Sequence, residues 1–113
     1  MQQLGLPYQV LNKCTADIGG PNARGVDIEV WLPSQKTYRE THTADYMTDY
    51  QARRLRTRVR TAEGEVALVH TNDATAIAMP RTLIAILENY QTKDGHIMVP
   101  EVLQPYMRGK KEL

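Results

Sequence analysis

An α+β fold is predicted for this chain: an antiparallel sheet of about five strands with one main helix in the C-terminal half. Three patterns predict it. Val26-Asp-Ile-Glu-Val-Trp-Leu32 alternates apolar and acidic residues in period two. Arg53–Arg60 and Val66–Thr71 flank Ala62-Glu63-Gly64-Glu65, which reads as a hairpin turn. Beyond Pro80, the residues Leu83, Ile86, Leu87 and Tyr90 recur at helical spacing and form one buried stripe.

Taken in order, Tyr8–Cys14 has strand character, and Cys14 reads as a small core or strand residue. Asp17-Ile-Gly-Gly-Pro-Asn-Ala-Arg-Gly25 is a glycine-rich loop. It lacks the Gly-Lys-Ser/Thr of a P-loop and the spacing of a dinucleotide fingerprint. Pro33-Ser34-Gln35 is a turn, and Thr37–Thr43, rich in β-formers, pairs back on Val26–Leu32. In Arg53–Arg60, Arg54, Arg56, Arg58 and Arg60 alternate with Leu55, Thr57 and Val59. That spacing puts arginine on one strand face, either solvated, ion-paired or in contact with RNA. The stretch from His70 runs as a strand into the helix that Pro80 opens, since its fixed φ suits a first helical position. Asp94-Gly95 breaks the chain again, and Met98–Met107 is a proline-punctuated apolar segment expected to pack on the sheet.

Arg81 lies in the first turn of that helix, where the dipole already carries partial positive charge. Two readings account for it. It faces an anion, as helix N-termini readily do for phosphate, with the guanidinium adding a bidentate clamp. Otherwise it is an exposed arginine tolerated at a cost of about a few tenths of a kcal/mol.

With 113 residues, the chain is long enough for one domain. Its 42% apolar and 24% charged residues are those of an ordinary soluble protein, and a net charge of +1 selects no partner. One cysteine excludes an internal disulfide and any multi-cysteine zinc site. No apolar run is long enough for a membrane span, and the N-terminus lacks the basic and apolar regions of a signal peptide, so a cytoplasmic location is expected. His42, His70 and His96 lack ligand spacing, and Ser34, the only serine, has no nucleophile elbow. The remaining chemistry is electrostatic. Asp27, Glu29 and Glu40 are carboxylates on two paired strands that can each face solvent or a divalent cation. By alternation Glu40 and His42 share one face and Thr41 and Thr43 the other, unless a bulge re-aims them. The site expected is Glu40 with a metal on one side and Arg81 on the other.

Several blocks, in order and with matching spacing, resemble the C-terminal part of the catalytic domain of bacterial seryl-tRNA synthetases. They are Asp27–Thr43, Asp49–Arg54, His70–Thr71 through Pro80-Arg81, Leu87–Gln91 and Val99–Met107. The Pro80-Arg81 segment is similar to the third signature motif of class II aminoacyl-tRNA synthetases. The resemblance implies that residues 1–113 form a single partial catalytic domain of the class II fold, the motif 3 portion. Motif 1, motif 2 and the tRNA-binding coiled-coil arm have no counterpart among them.

The resemblance implies serine–tRNA ligase chemistry: serine and ATP form seryl-adenylate and pyrophosphate, and serine then passes to the terminal ribose of tRNA(Ser). ATP would be bound through Glu40, Thr41, His42, Thr43 and Arg81, with Mg²⁺ at Glu40 and Thr43, and Glu40 and Arg81 as catalytic residues. Arg81 would hold the γ-phosphate, and Thr75 and Asp73 would contact L-serine. The family has asparagine where this chain has Asp73 in Thr71-Asn-Asp-Ala-Thr75. An ionised Asp73 accepts a hydrogen bond from an ammonium but offers no NH₂ donor. Without motif 2, whose arginine and aromatic residue hold the α-phosphate and adenine, the chain alone is expected to be inactive. It is expected to pair with itself as a dimer or with the missing catalytic half. The alternative is a non-catalytic remnant acting as an RNA-binding or protein-interaction module.

Overall fold

The computed structural model describes residues 1–113. Four strands form the main sheet in the order β1 (Tyr8–Asn12), β2 (Arg24–Leu32), β3 (Thr37–Thr48) and β6 (Thr71–Thr75), every neighbour antiparallel. Between β3 and β6 the chain makes a short helix α1 (Tyr50–Leu55) and a separate two-stranded hairpin, β4 (Arg58–Arg60) with β5 (Val66–Leu68). Helix α2 (Met79–Asn89) follows β6, and a 3-10 helix (Glu101–Met107) lies in the C-terminal segment. The predicted α+β class holds, with six strands in two sheets where about five in one were expected.

Period two in β2 sorts its residues. Val30 and Leu32 turn to one face and meet Leu6 and Ala85 of α2, forming the core, with Met1, Leu4, Ile86 and Tyr90 packed around it. Asp27 and Glu29 turn to the other face. Both are buried rather than solvent-facing. Helix α2 is pinned across the first face by side chains. Asn89 Nδ2 donates to Trp31 O at 3.0 Å, and the Ser34 hydroxyl and backbone N–H both donate to Glu88. Those two donors stabilise the ionised carboxylate and lower the Glu88 pKa. The Tyr90 hydroxyl donates to Leu4 O and closes the N-terminal loop over the helix end.

Pro80 opens α2 as expected, but the stripe is rotated. Thr82 and Ala85 are the buried positions, whereas Leu83 stays 54% exposed. The reason is close approach: small residues let α2 lie near β2, and the larger Leu83 faces the C-terminal segment instead. Leu83, Ile86 and Leu87 line an apolar groove with Val99, Leu103 and Met107. The proline-punctuated tail thus packs on α2 and not on the sheet. Cys14 lies beyond the end of β1 and is exposed, so it is neither a core nor a strand residue.

The chain is flat and spread out. Its radius of gyration is 19.5 Å, against about 13 Å for a compact domain of 100 residues. Its accessible surface is 8163 Å², where a compact monomer of this mass exposes roughly 6,300 Å². No helix is long and apolar enough to cross a membrane.

Candidate functional site

Alternation along an uninterrupted β3 would separate Glu40 from Thr43. The β2–β3 register shifts between Ile28 and Glu29: Ile28 lies opposite His42, Glu29 opposite Glu40, and Thr41 is the extra residue of a bulge. The bulge reverses the alternation, so Glu40 and Thr43 share the face of Asp27 and Glu29, and His42 turns to the other. The expectation that Glu40 and His42 share a face is thereby corrected. Thr41 is buried, and its hydroxyl donates to Ile28 O at 3.0 Å and lies 2.9 Å from His42 Nδ1. Burial, and then the positive N-terminus, lower the His42 pKa. Neither side chain joins Glu40 and Thr43. Thr41 is the extra residue of the bulge that does.

Strand β6 adds Thr75 opposite Thr43 and Asp73 opposite Asp45. The Thr75 N–H donates to Thr43 Oγ1 at 3.1 Å, which leaves both Thr75 and Asp73 side chains exposed on the sheet face. Past Thr75 the chain crosses the open edge of β3, where the Ala78 N–H donates to Thr41 O, and α2 begins there. Arg81 then reaches back to Glu40. Its Nη1 donates to Glu40 Oε2 at 2.8 Å and also to Glu40 O. The anion that Arg81 faces is therefore the Glu40 carboxylate, with both side chains 41% exposed. Glu40, Thr43, Thr75, Asp73 and Arg81, spread over 42 positions of sequence, meet on one face and edge of the sheet.

Sequence reading missed what lies beneath them. Lys13, just past β1, extends its ammonium between Asp27 (3.5 Å) and Asp45 (2.5 Å), with all three side chains largely buried. Gly25 makes room for it, because a Cβ there would overlap Lys13 Cε and Asp45 Oδ1. Hydrogen bonding to Asp45 first, and the two negative charges, raise the Lys13 pKa against the opposing effect of burial. For Asp27 burial is the larger effect and raises the pKa, although Lys13 pulls it down. Next along the face, Gln9 Nε2 donates to Glu29 Oε2 at 2.5 Å. The available signal was a lysine just past β1 with Asp27 and Asp45 on the next two strands, but it needs the register to be read.

A single accessible carboxylate beside a hydroxyl does not make a closed metal cage, and no group of three or more His, Cys, Asp or Glu side chains gathers anywhere in the chain. Magnesium does not require one when phosphate oxygens complete its shell. The donor set at Glu40 and Thr43 fits an ion that arrives with a polyphosphate.

An antiparallel sheet that carries its polar site on one face and a motif 3 helix on the other defines a class II synthetase core. The family model described as tRNA synthetase class II core domain (G, H, P, S and T) matches residues 1–90, and the chain belongs to that family. Within it, the chain is 50% identical over all 113 residues to serine–tRNA ligases of Burkholderia cenocepacia (strain HI2424) and Acidovorax sp. (strain JS42), spanning 26% of each. The seryl-tRNA synthetase of Pyrococcus horikoshii, complexed with ATP, superposes with a TM-score of 0.89 at 46% identity, over 98% of this chain and 25% of that one. The cytoplasmic serine–tRNA ligase of Naegleria fowleri, in complex with AMP, gives 0.85 at 43% identity, over 98% and 23%. The chain thus spans about a quarter of the length of the relatives it matches.

Proposed function

We propose that this chain supplies the γ-phosphate, magnesium and serine contacts of a serine–tRNA ligase active site. The observation that carries the reading is the meeting of Arg81 with Glu40 beside Thr43 and Thr75. Glu40 and Thr43 would hold Mg²⁺, which neutralises phosphate charge when bound. Arg81, released from Glu40, would clamp the γ-phosphate of ATP, with the partial charge of the α2 N-terminus behind it. Thr75 and Asp73 would hold serine, the Asp73 carboxylate accepting from its ammonium. The serine carboxylate oxygen then bonds to the α-phosphorus as the bond to the bridging oxygen breaks and pyrophosphate leaves. In the second step a ribose hydroxyl of tRNA(Ser) takes the seryl group and AMP departs. The residues act by position and charge, with no covalent intermediate on the protein.

Titrating magnesium triphosphate into the chain tests this. We expect shifts of the Arg81 and Thr82 amide resonances with a dissociation constant in the millimolar range, about −4 kcal/mol, and their loss in Arg81→Ala. Shifts that spare both residues in the parent chain would refute the reading.

The expected partner is a second copy of the chain or the remainder of a class II catalytic core. Strand β1 is an outer strand of the sheet and exposes Val10 (59%) and Leu11 (37%), the kind of edge that recruits another strand. Light scattering at high micromolar concentration should give the mass of a two-fold dimer. A monomer at that concentration rules out self-pairing.

A further inference from the structure

The five arginines between positions 53 and 60 take no part in the site above. Ion pairing does not explain them. Only Arg53 has a carboxylate partner, Asp49 at 3.5 Å. Arg54 lies over the Tyr50 ring, 3.3 Å from its centroid, and Arg60 donates to Gly64 O. The structure also corrects the single arginine strand. Arg53 and Arg54 lie on α1, Arg56 is its left-handed cap, and only Arg58 and Arg60 belong to a strand. The result is an arm whose helix α1 rests on β3 and β6 and whose β4–β5 hairpin forms a sheet of its own, with Arg54, Arg56, Arg58 and Arg60 all exposed.

Charge is concentrated on this arm. Residues 49–65 carry five arginines against Asp49, Glu63 and Glu65, whereas the rest of the chain has nine basic and ten acidic side chains. Arg58 and Arg60 lie on one face of β4, roughly 6.5 Å apart along the strand. The arm's one aromatic ring, Tyr50, has a face covered by Arg54, which leaves little surface on which bases can stack. Free guanidiniums without a stacking platform suit phosphates rather than bases, and a helical stem rather than an unpaired strand.

We propose that this arm binds the phosphate backbone of an RNA stem. The choice of RNA rests on the tRNA-charging reading above, since the charge alone accepts any polyphosphate backbone. Strand β5 leads through Val69 and His70 into β6, whose far end holds Thr75, so Arg58, opposite Leu68, lies at most about 23 Å along the chain from the serine contacts.

The test uses the 113-residue chain and an RNA hairpin with a stem of about twelve base pairs. Resonances of Arg54, Arg56, Arg58 and Arg60 should shift, and affinity should fall as salt rises. An R58Q/R60Q double variant should reduce the slope of log affinity against log salt by about 2, and a stem of unrelated sequence should bind equally well. An unchanged slope, or shifts confined to the Arg81 face, overturns the proposal. So does an arm that ignores RNA and instead loses self-association in the Val59→Thr variant, which would make it a protein contact. The magnesium triphosphate titration at Arg81 reads the site separately. A responsive Arg81 with a silent arm removes only the RNA surface, and a responsive arm with a silent Arg81 removes the ligase reading while supporting the surface.

Discussion

Replacing Lys13 with methionine should destabilise the chain by about 3–5 kcal/mol at neutral pH, the usual cost of leaving buried charge without its partner. The variant strands two carboxylates, Asp27 and Asp45, whose common counter-charge is the Lys13 ammonium. Methionine keeps most of the apolar stem, so lost packing is a minor part. The pH dependence identifies the cause. Protonating Asp27, whose pKa burial already raises, relieves the strain in the variant, so the gap to the parent chain should narrow between pH 7 and pH 4, read by urea denaturation at each pH. A gap that is constant with pH would mean that shape, not charge, is what Lys13 provides. In the parent chain, Asp27 binds its proton more tightly when folded. Its contribution to stability therefore falls as pH rises from about 3.9 through the folded value, and is flat above it. Lys13 has the opposite range: its raised pKa contributes stability that is full below about 10.4 and is lost as pH rises through the folded value.

The 113-residue chain by itself should show no measurable serine-dependent ATP–pyrophosphate exchange. Arg81 is the arginine that bonds Glu40, Arg39 nearby donates to Gln35, and Lys13 is committed to Asp27 and Asp45. One guanidinium is left to serve three phosphates. Each missing charge-stabilising donor costs roughly 2.7–4 kcal/mol, or about a hundred- to a thousandfold in rate. Two such losses put the reaction below detection. Exchange that requires serine and vanishes in Arg81→Ala would show that the residues present suffice.

Local pattern was enough for the fold class, for β2, for the turn at Glu63-Gly64 and for the start of α2 at Pro80, because each depends on near neighbours: alternation, a left-handed glycine, a fixed φ. Glu40, Thr43, Thr75 and Arg81 became candidates by another route, a pattern of blocks that resembles one family. The arginine run misled, since its alternation is compatible with a strand. Burial of Ala52 against the sheet selected a helix for its first half instead. Leu83 misled in the same way, because spacing marks a stripe but only packing decides which side of it meets the sheet. Register belongs to tertiary structure alone. One extra residue at Thr41 reverses the side chains from His42 to Tyr46, and that reversal brings Glu40 to Thr43, frees His42 to the other face and sets Asp45 against Lys13. Sequence determined which residues carry the charge; the bulge and the crossing from β6 to α2 decided which charges meet, because both depend on contacts between segments tens of residues apart.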